Sequence, residues 1–199
     1  MIKVLVFIAI ALLPSITTAK AIVVLGDSIS AAYGMGVEQG WVALLQTKLK
    51  QEGLDYRVFN ESISGDTSAG GLARIDRALT AHKPNIVLLE LGANDGLRGL
   101  PPEQMQANLK TIIQRSQQAG AKVLLLGMKI PPNYGKRFVD MFYNIYPKLA
   151  TELQIPSIPF LLEDVALDKD MMQADGLHPN AKAQALIMEK VWAQLKTLL

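Results

Sequence analysis

The stretch Ile22–Leu25 is apolar at every position and mostly β-branched. A strand with one wet face alternates polar and apolar residues. A run without alternation has both faces covered, as in a parallel sheet packed between two layers of helices. Ile86–Leu91 reads as an uninterrupted buried strand and Val123–Leu126 as another, while Tyr56–Phe59 and a short segment near Ile158–Leu161 complete a set of five.

Helical spacing fills the intervals. Trp41, Leu44, Leu45 and Leu49 share one face, closed by Gly53. Leu72, Ile75 and Leu79 follow a cap at Asp66 or Thr67, and Met105, Leu109, Ile112 and Ile113 precede a stop at Gly120. A helix over Asp140–Leu153 should be kinked by Pro147. A terminal helix, with Pro179 in its first turn, carries Met188, Val191, Trp192, Leu195 and Leu198. The segments between, including 92–102 and Lys129–Arg137, read as loops. Strands alternating with helices predict an α/β fold: a single-domain, doubly wound, parallel five-stranded sheet with helices on both faces, flavodoxin-like. In the common order 2-1-3-4-5, the loops after the first and third strands meet at the switch point.

The N-terminus has a different character. Lys3, an apolar run over Val4–Leu13, Pro14 and small residues up to Ala19 have the layout of a cleavable secretory signal over residues 1–19, too short to span a bilayer. Cleavage after Ala19 leaves the first strand whole and one domain over residues 20–199, exported to a periplasm or the outside, with no membrane span and expected to be a monomer. The 199-residue chain has a formal net charge of +2 with its basic residues scattered, which argues against nucleic acid as a partner. It has no cysteine, which excludes disulfides and thiolate-bound metal.

The first strand ends in Gly26-Asp27-Ser28, at the carboxyl edge where such sheets place their chemistry. A serine there can act as a nucleophile, although Gly, Asp and Ser are also ordinary turn residues. The chain has two histidines. His82 ends a helix on the opposite rim and reads as a solvated helix-end residue. His178 follows the last strand on the rim of Ser28, and Asp175 three residues earlier is spaced to orient one imidazole nitrogen and leave the other for a hydroxyl. Gly65 and Asn94, after the second and third strands, and the N–H of Ser28 are candidate donors to an oxyanion. Asp27, Asp66 and Asp95 read as local turn or cap residues.

Four blocks, GDSIS, SISGDT, GANDGLRG and DGLHP, stand in the order found in the SGNH, or GDSL-type, hydrolases. Together with NESISGDTS, PPNYGKR and IYPKLA, the sequence resembles the thioesterase I, arylesterase and lysophospholipase branch of that family from about Ile22 to the terminal helix. Asn60-Glu61-Ser62 departs from the branch, which usually has a small residue in the middle. The resemblance implies Ser28 as nucleophile, His178 as base and then acid, Asp175 as its orienter, and Ser28, Gly65 and Asn94 as the oxyanion hole. It also implies small acyl ester or thioester substrates and no metal or organic cofactor.

The segment Asp95–Pro101 is expected to be a mobile loop, with Gly96 and Gly99 allowing rearrangement and Leu97 and Leu100 presenting apolar surface to an acyl chain. Ile130, Pro131 and Pro132 would face them. A carbohydrate O-deacetylase on the same fold is the alternative within the hydrolases. A non-catalytic flavodoxin-like binding module is the alternative outside them, but Gly34-Met35-Gly36 lacks the third glycine of a dinucleotide fingerprint.

Overall fold

The computed structural model describes residues 19–199, and the expected signal segment, except for its last residue, lies outside them. The central strand β1 (Lys20–Gly26) pairs in parallel with β2 (Tyr56–Asn60) on one side and β3 (Ile86–Glu90) on the other. β4 (Lys122–Leu126) and β5 (Ser157–Ile158) extend the sheet in the order β2-β1-β3-β4-β5. The chain therefore leaves β1 in one direction through β2 and in the other through β3. The crevice between β1 and β3 is the switch point.

Right-handed crossovers put the first helix, α1 (Trp41–Gln51), on one face and α2 (Ser68–His82), α4 (Pro102–Gln118) and α5 (Lys136–Glu152) on the other. The packing agrees: α1 lies on the terminal helix α6 (Gln184–Leu195), and α4 lies on α2 and α5. The α1 N-terminus follows Gly40, which has no side chain to cap it, so buried Gln184 supplies the acceptor to the Trp41 N–H at 3.0 Å. Ile22, Leu25, Leu88 and Leu89 are fully enclosed. Each such side chain contributes roughly 1.5–3 kcal/mol, enough in sum to make the sheet a rigid base for the loops at its edge.

Several boundaries differ from the expectation for local reasons. The helix expected from Asp140 starts at Lys136, because Gly135 adopts φ +89° and accepts the Val139 N–H, and it continues through Pro147 as one element. β5 stops at Ile158, since Pro159 has no N–H for the ladder. Pro179 lies outside the terminal helix: it bridges to Met172, Asn180 caps a short 3-10 turn at Ala181–Ala183, and α6 begins only at Gln184. Thr67, not Asp66, caps α2. The segment after β3 is no open loop but starts with a short helix, α3 (Ala93–Leu97). His82 is not solvated either. Its Nε2 lies 2.7 Å from Glu61 and its ring stacks on Phe59, so it ties the end of α2 to the edge strand.

Candidate active site

Beyond β1 the chain turns tightly, with Ala31 N–H bonding to Asp27 C=O at 2.9 Å and Tyr33 N–H to Ser28 C=O at 3.1 Å. The turn aims Ser28 out of the sheet edge. His178 reaches it from a narrow loop pinned at its base by the Met172–Pro179 bridge and by Gln173 N–H donating to His178 C=O at 2.7 Å. Within the loop, Asp175 Oδ1 accepts the N–H groups of Leu177 (2.9 Å) and His178 (3.0 Å), which fixes its other oxygen 2.7 Å from His178 Nδ1. His178 Nε2 lies 2.9 Å from Ser28 Oγ. A carboxylate on Nδ1 selects the tautomer with its proton there, leaving Nε2 to accept from the hydroxyl. Burial acts to raise the Asp175 pKa. The His178 N–H, the imidazole and the Leu177 N–H outweigh it and bring the value down to about 2, so the carboxylate is charged throughout the working range.

The loops after β2 and β3 close on the same point. Gly65 sits at φ +79°, a conformation suited to glycine, with its carbonyl held by Arg98 Nη2 at 2.6 Å. Among the described residues, the N–H groups of Ser28 and Gly65 meet no acceptor within the chain. Asn94 lies in the first turn of α3, and its Nδ2 donates to Asp27 Oδ2 at 3.1 Å and to the Asp66 carbonyl at 3.0 Å. The amide thus sits between the neighbour of Ser28 and the neighbour of Gly65. Asp66 and Asp95 are not the local turn or cap residues expected: Asp66 pairs with Arg74, and Asp95 accepts the Ser68 N–H and hydroxyl, so each joins segments apart in sequence. Asp27 does more than shape a turn. Burial raises its pKa to about 6, with the Ile29 N–H and the neighbouring Glu90, His178 and Asn94 partly opposing the rise.

A cleft of about 640 Å³ opens from Ser28, Asn94 and His178 and runs between apolar walls. Leu97, Ile130, Pro131 and Pro132 line it, as the sequence suggested. Leu100 does not. Gly99 turns the chain at φ +64° and the Leu100 N–H bonds back to Asp95 C=O at 2.9 Å, which takes that side chain off the cleft. Gly96 also has a different use from the one expected. A Cβ there would come within 2.7 Å of Ile130 and Phe142, so the glycine is what lets α3 pack against these two side chains. Tyr134 reinforces this by donating to Leu97 C=O at 2.8 Å.

Sequence reasoning missed four further residues. Tyr33 stands 4.5 Å from the His178 ring, centroid to centroid. Phe160 and exposed Leu167 extend the apolar wall. Tyr33 and Leu167 sit in irregular segments and gave no signal. The fully buried Glu90 beneath the Ser28 turn did give one, a charged residue in an otherwise apolar strand.

Hydroxyl, imidazole and carboxylate in one hydrogen-bonded line, at the switch point of a doubly wound sheet and facing an apolar cleft, define a serine-type ester hydrolase. Residues 24–186 match the sequence model of the GDSL-like Lipase/Acylhydrolase family. The chain belongs to that family. It is 52% identical to esterase TesA of Pseudomonas aeruginosa over 96% of each chain. It is 46% identical to thioesterase 1/protease 1/lysophospholipase L1 of Escherichia coli K12, over 90% of this chain and 85% of that one. The crystal structure of the psychrotrophic esterase EstA from Pseudoalteromonas sp., inhibited by monoethylphosphonate, superposes with a TM-score of 0.86 at 45% identity, covering 89% of this chain and 97% of that one.

Proposed function

We propose that this enzyme hydrolyses acyl esters and thioesters of small molecules, among them aryl esters, acyl-CoA and lysophospholipids, through an acyl-enzyme on Ser28. The observation that carries this reading is the line Asp175–His178–Ser28 opening on an apolar cleft. Ser28 Oγ attacks the carbonyl as His178 Nε2 takes its proton, and Asp175 stabilises the imidazolium that forms. The oxyanion is received by the N–H groups of Ser28 and Gly65 and by the Asn94 amide. His178 then returns the proton to the leaving alcohol or thiol and activates the water that releases the acid.

The acyl chain lies along Leu97, Ile130 and Pro131. These walls suit hydrocarbon better than a sugar, which favours acyl esters over acetylated carbohydrates as substrates. All the groups the chemistry needs come from one chain, consistent with a monomer acting without metal or organic cofactor. Residues 1–19 act as a cleavable signal, and residues 20–199 form a single hydrolase domain that works in the periplasm or outside the cell. Among the described residues no helix is long and apolar enough to cross a membrane.

A panel of aryl esters, acyl-CoA, lysophospholipid and acetylated sugars, run with wild type and Ser28→Ala, tests the reading. Turnover of the first three, abolished in the variant, is expected. Turnover of the sugars alone would replace it with the deacetylase.

A further inference from the structure

β3 is apolar at every position except its last, Glu90, which is completely buried. A carboxylate withdrawn from water is tolerated when a cation or a full set of donors surrounds it. Glu90 has neither. Arg74, the nearest cationic side chain of α2, is spent on the carbonyls of Glu61 and Gly26 and on the Asp66 carboxylate. Glu90 Oε2 accepts the Asp27 N–H at 3.2 Å and the Ser30 hydroxyl at 2.8 Å, but Oε1 meets no donor. The neighbouring carboxyl is that of Asp27, also buried, with one donor on each oxygen, the Ile29 N–H (3.0 Å) and the Asn94 amide (3.1 Å), and acceptor capacity left on both.

Two facing carboxyl groups in an enclosed site hold one proton between them. The donor count says where it resides. Asp27 receives a donor on each oxygen, which favours it as the anion of the two; Glu90 Oε1 meets no donor, which favours Glu90 as the holder of the proton. The remaining charged or titratable groups around the pair do not alter this assignment. Asp95 on α3 and the Tyr146 hydroxyl on α5 add no positive charge, and His178 acts on the Asp27 side. Burial and the Asp27 charge together hold the Glu90 carboxyl well above the ordinary carboxylate range, in keeping with a neutral acid beside a charged Asp27.

We propose that Glu90 is a positioning residue for ester hydrolysis: as a neutral carboxylic acid it donates to Asp27, and Asp27 in turn holds the Asn94 amide at the oxyanion. The inference rests on the roles proposed above for Ser28 and Asn94. It also accounts for the glycine ahead of Asp27. A Cβ at Gly26 would lie 2.8 Å from Glu90 Oε2 and from Ser30 Cβ and Oγ, so only glycine lets the acid lie directly under the nucleophile turn.

Glu90→Gln and Glu90→Leu test this in the full-length enzyme with an aryl ester. Glutamine keeps an acceptor for the Asp27 N–H and the Ser30 hydroxyl and a donor for the Asp27 carboxylate. It should fold and retain kcat within about threefold, and it should delete one infrared band of a protonated carboxyl group seen in wild type at pH 7. Leucine should lower kcat about tenfold or more with KM within about twofold, and that loss should largely vanish when Asn94 is already alanine, since the effect travels through that amide. A Gln variant that is misfolded or as impaired as Leu, a folded Leu variant with normal kcat, a loss that persists in full in the Asn94→Ala background, or an infrared band unchanged by Glu90→Gln would each overturn the proposal. Should the Leu variant not fold, the activity and the infrared band of Glu90→Gln decide alone. Loss of the underlying reading is seen separately, as Ser28→Ala retaining activity.

Discussion

Replacing Asn94 with alanine removes one of the three donors proposed for the oxyanion. Loss of one such donor commonly costs about 2.7–4 kcal/mol of transition-state stabilisation. Here the amide is already engaged, with Nδ2 donating to Asp27 Oδ2 at 3.1 Å and to the Asp66 carbonyl at 3.0 Å. Turning toward the oxyanion gives up one of those bonds, worth about 1 kcal/mol net. The balance of about 2–3 kcal/mol corresponds to a fall in kcat of roughly thirtyfold to 150-fold. Steady-state hydrolysis of a short aryl ester should show that fall with KM within about twofold. The assay belongs well below the melting temperature, because the variant also leaves the buried Asp27 carboxylate short of a donor. A loss confined to KM, or a kcat within threefold of wild type, would refute the reasoning and return Asn94 to a role in loop structure.

Asp175, with its pKa lowered from 3.8 to about 2, contributes stability that is present above pH 4 and is lost as pH falls through 2. The gap in melting temperature between wild type and Asp175→Asn should therefore close on acidification over that window, while the variant's kcat at pH 7 is reduced at least about a hundredfold by the wrong imidazole tautomer. For acyl-chain preference, each buried methylene contributes about 0.8 kcal/mol, so kcat/KM should rise about fourfold per carbon until the cleft is filled. Leu97→Ala should flatten that rise and Leu100→Ala should leave it intact, which a series of acyl esters will read directly. His178→Ala should abolish turnover, whereas His82→Ala, which removes only the contact to Glu61 and Phe59, should alter melting and spare kcat.

The sheet was legible because Ile22–Leu25 and Val123–Leu126 need cover on both faces, which helices on either side of a parallel sheet provide. The hydrogen-bonded line of Ser28, His178 and Asp175 was legible by elimination, from two histidines of which one lies on the rim of Ser28. What escaped was set by contacts distant in sequence. Gly96 read as a hinge because its partners, Ile130 and Phe142, arrive from other segments. Leu100 read as cleft surface because the reversal at Gly99 has no periodic signature. His82 read as solvated because Glu61 belongs to the far end of another strand connection. Glu90 was in plain view inside its strand, but its meaning depends on Asp27 lying beside it, just past its partner Gly26, which only the pairing of β1 with β3 supplies.

The central claim is that Ser28 is the activated nucleophile. Treating wild type with a fluorophosphonate and mapping the modified peptide by mass spectrometry measures this without assuming a substrate. The account predicts one adduct per chain, on Ser28, and none in Ser28→Ala or His178→Ala. An adduct on another residue, or undiminished labelling in either variant, would contradict it.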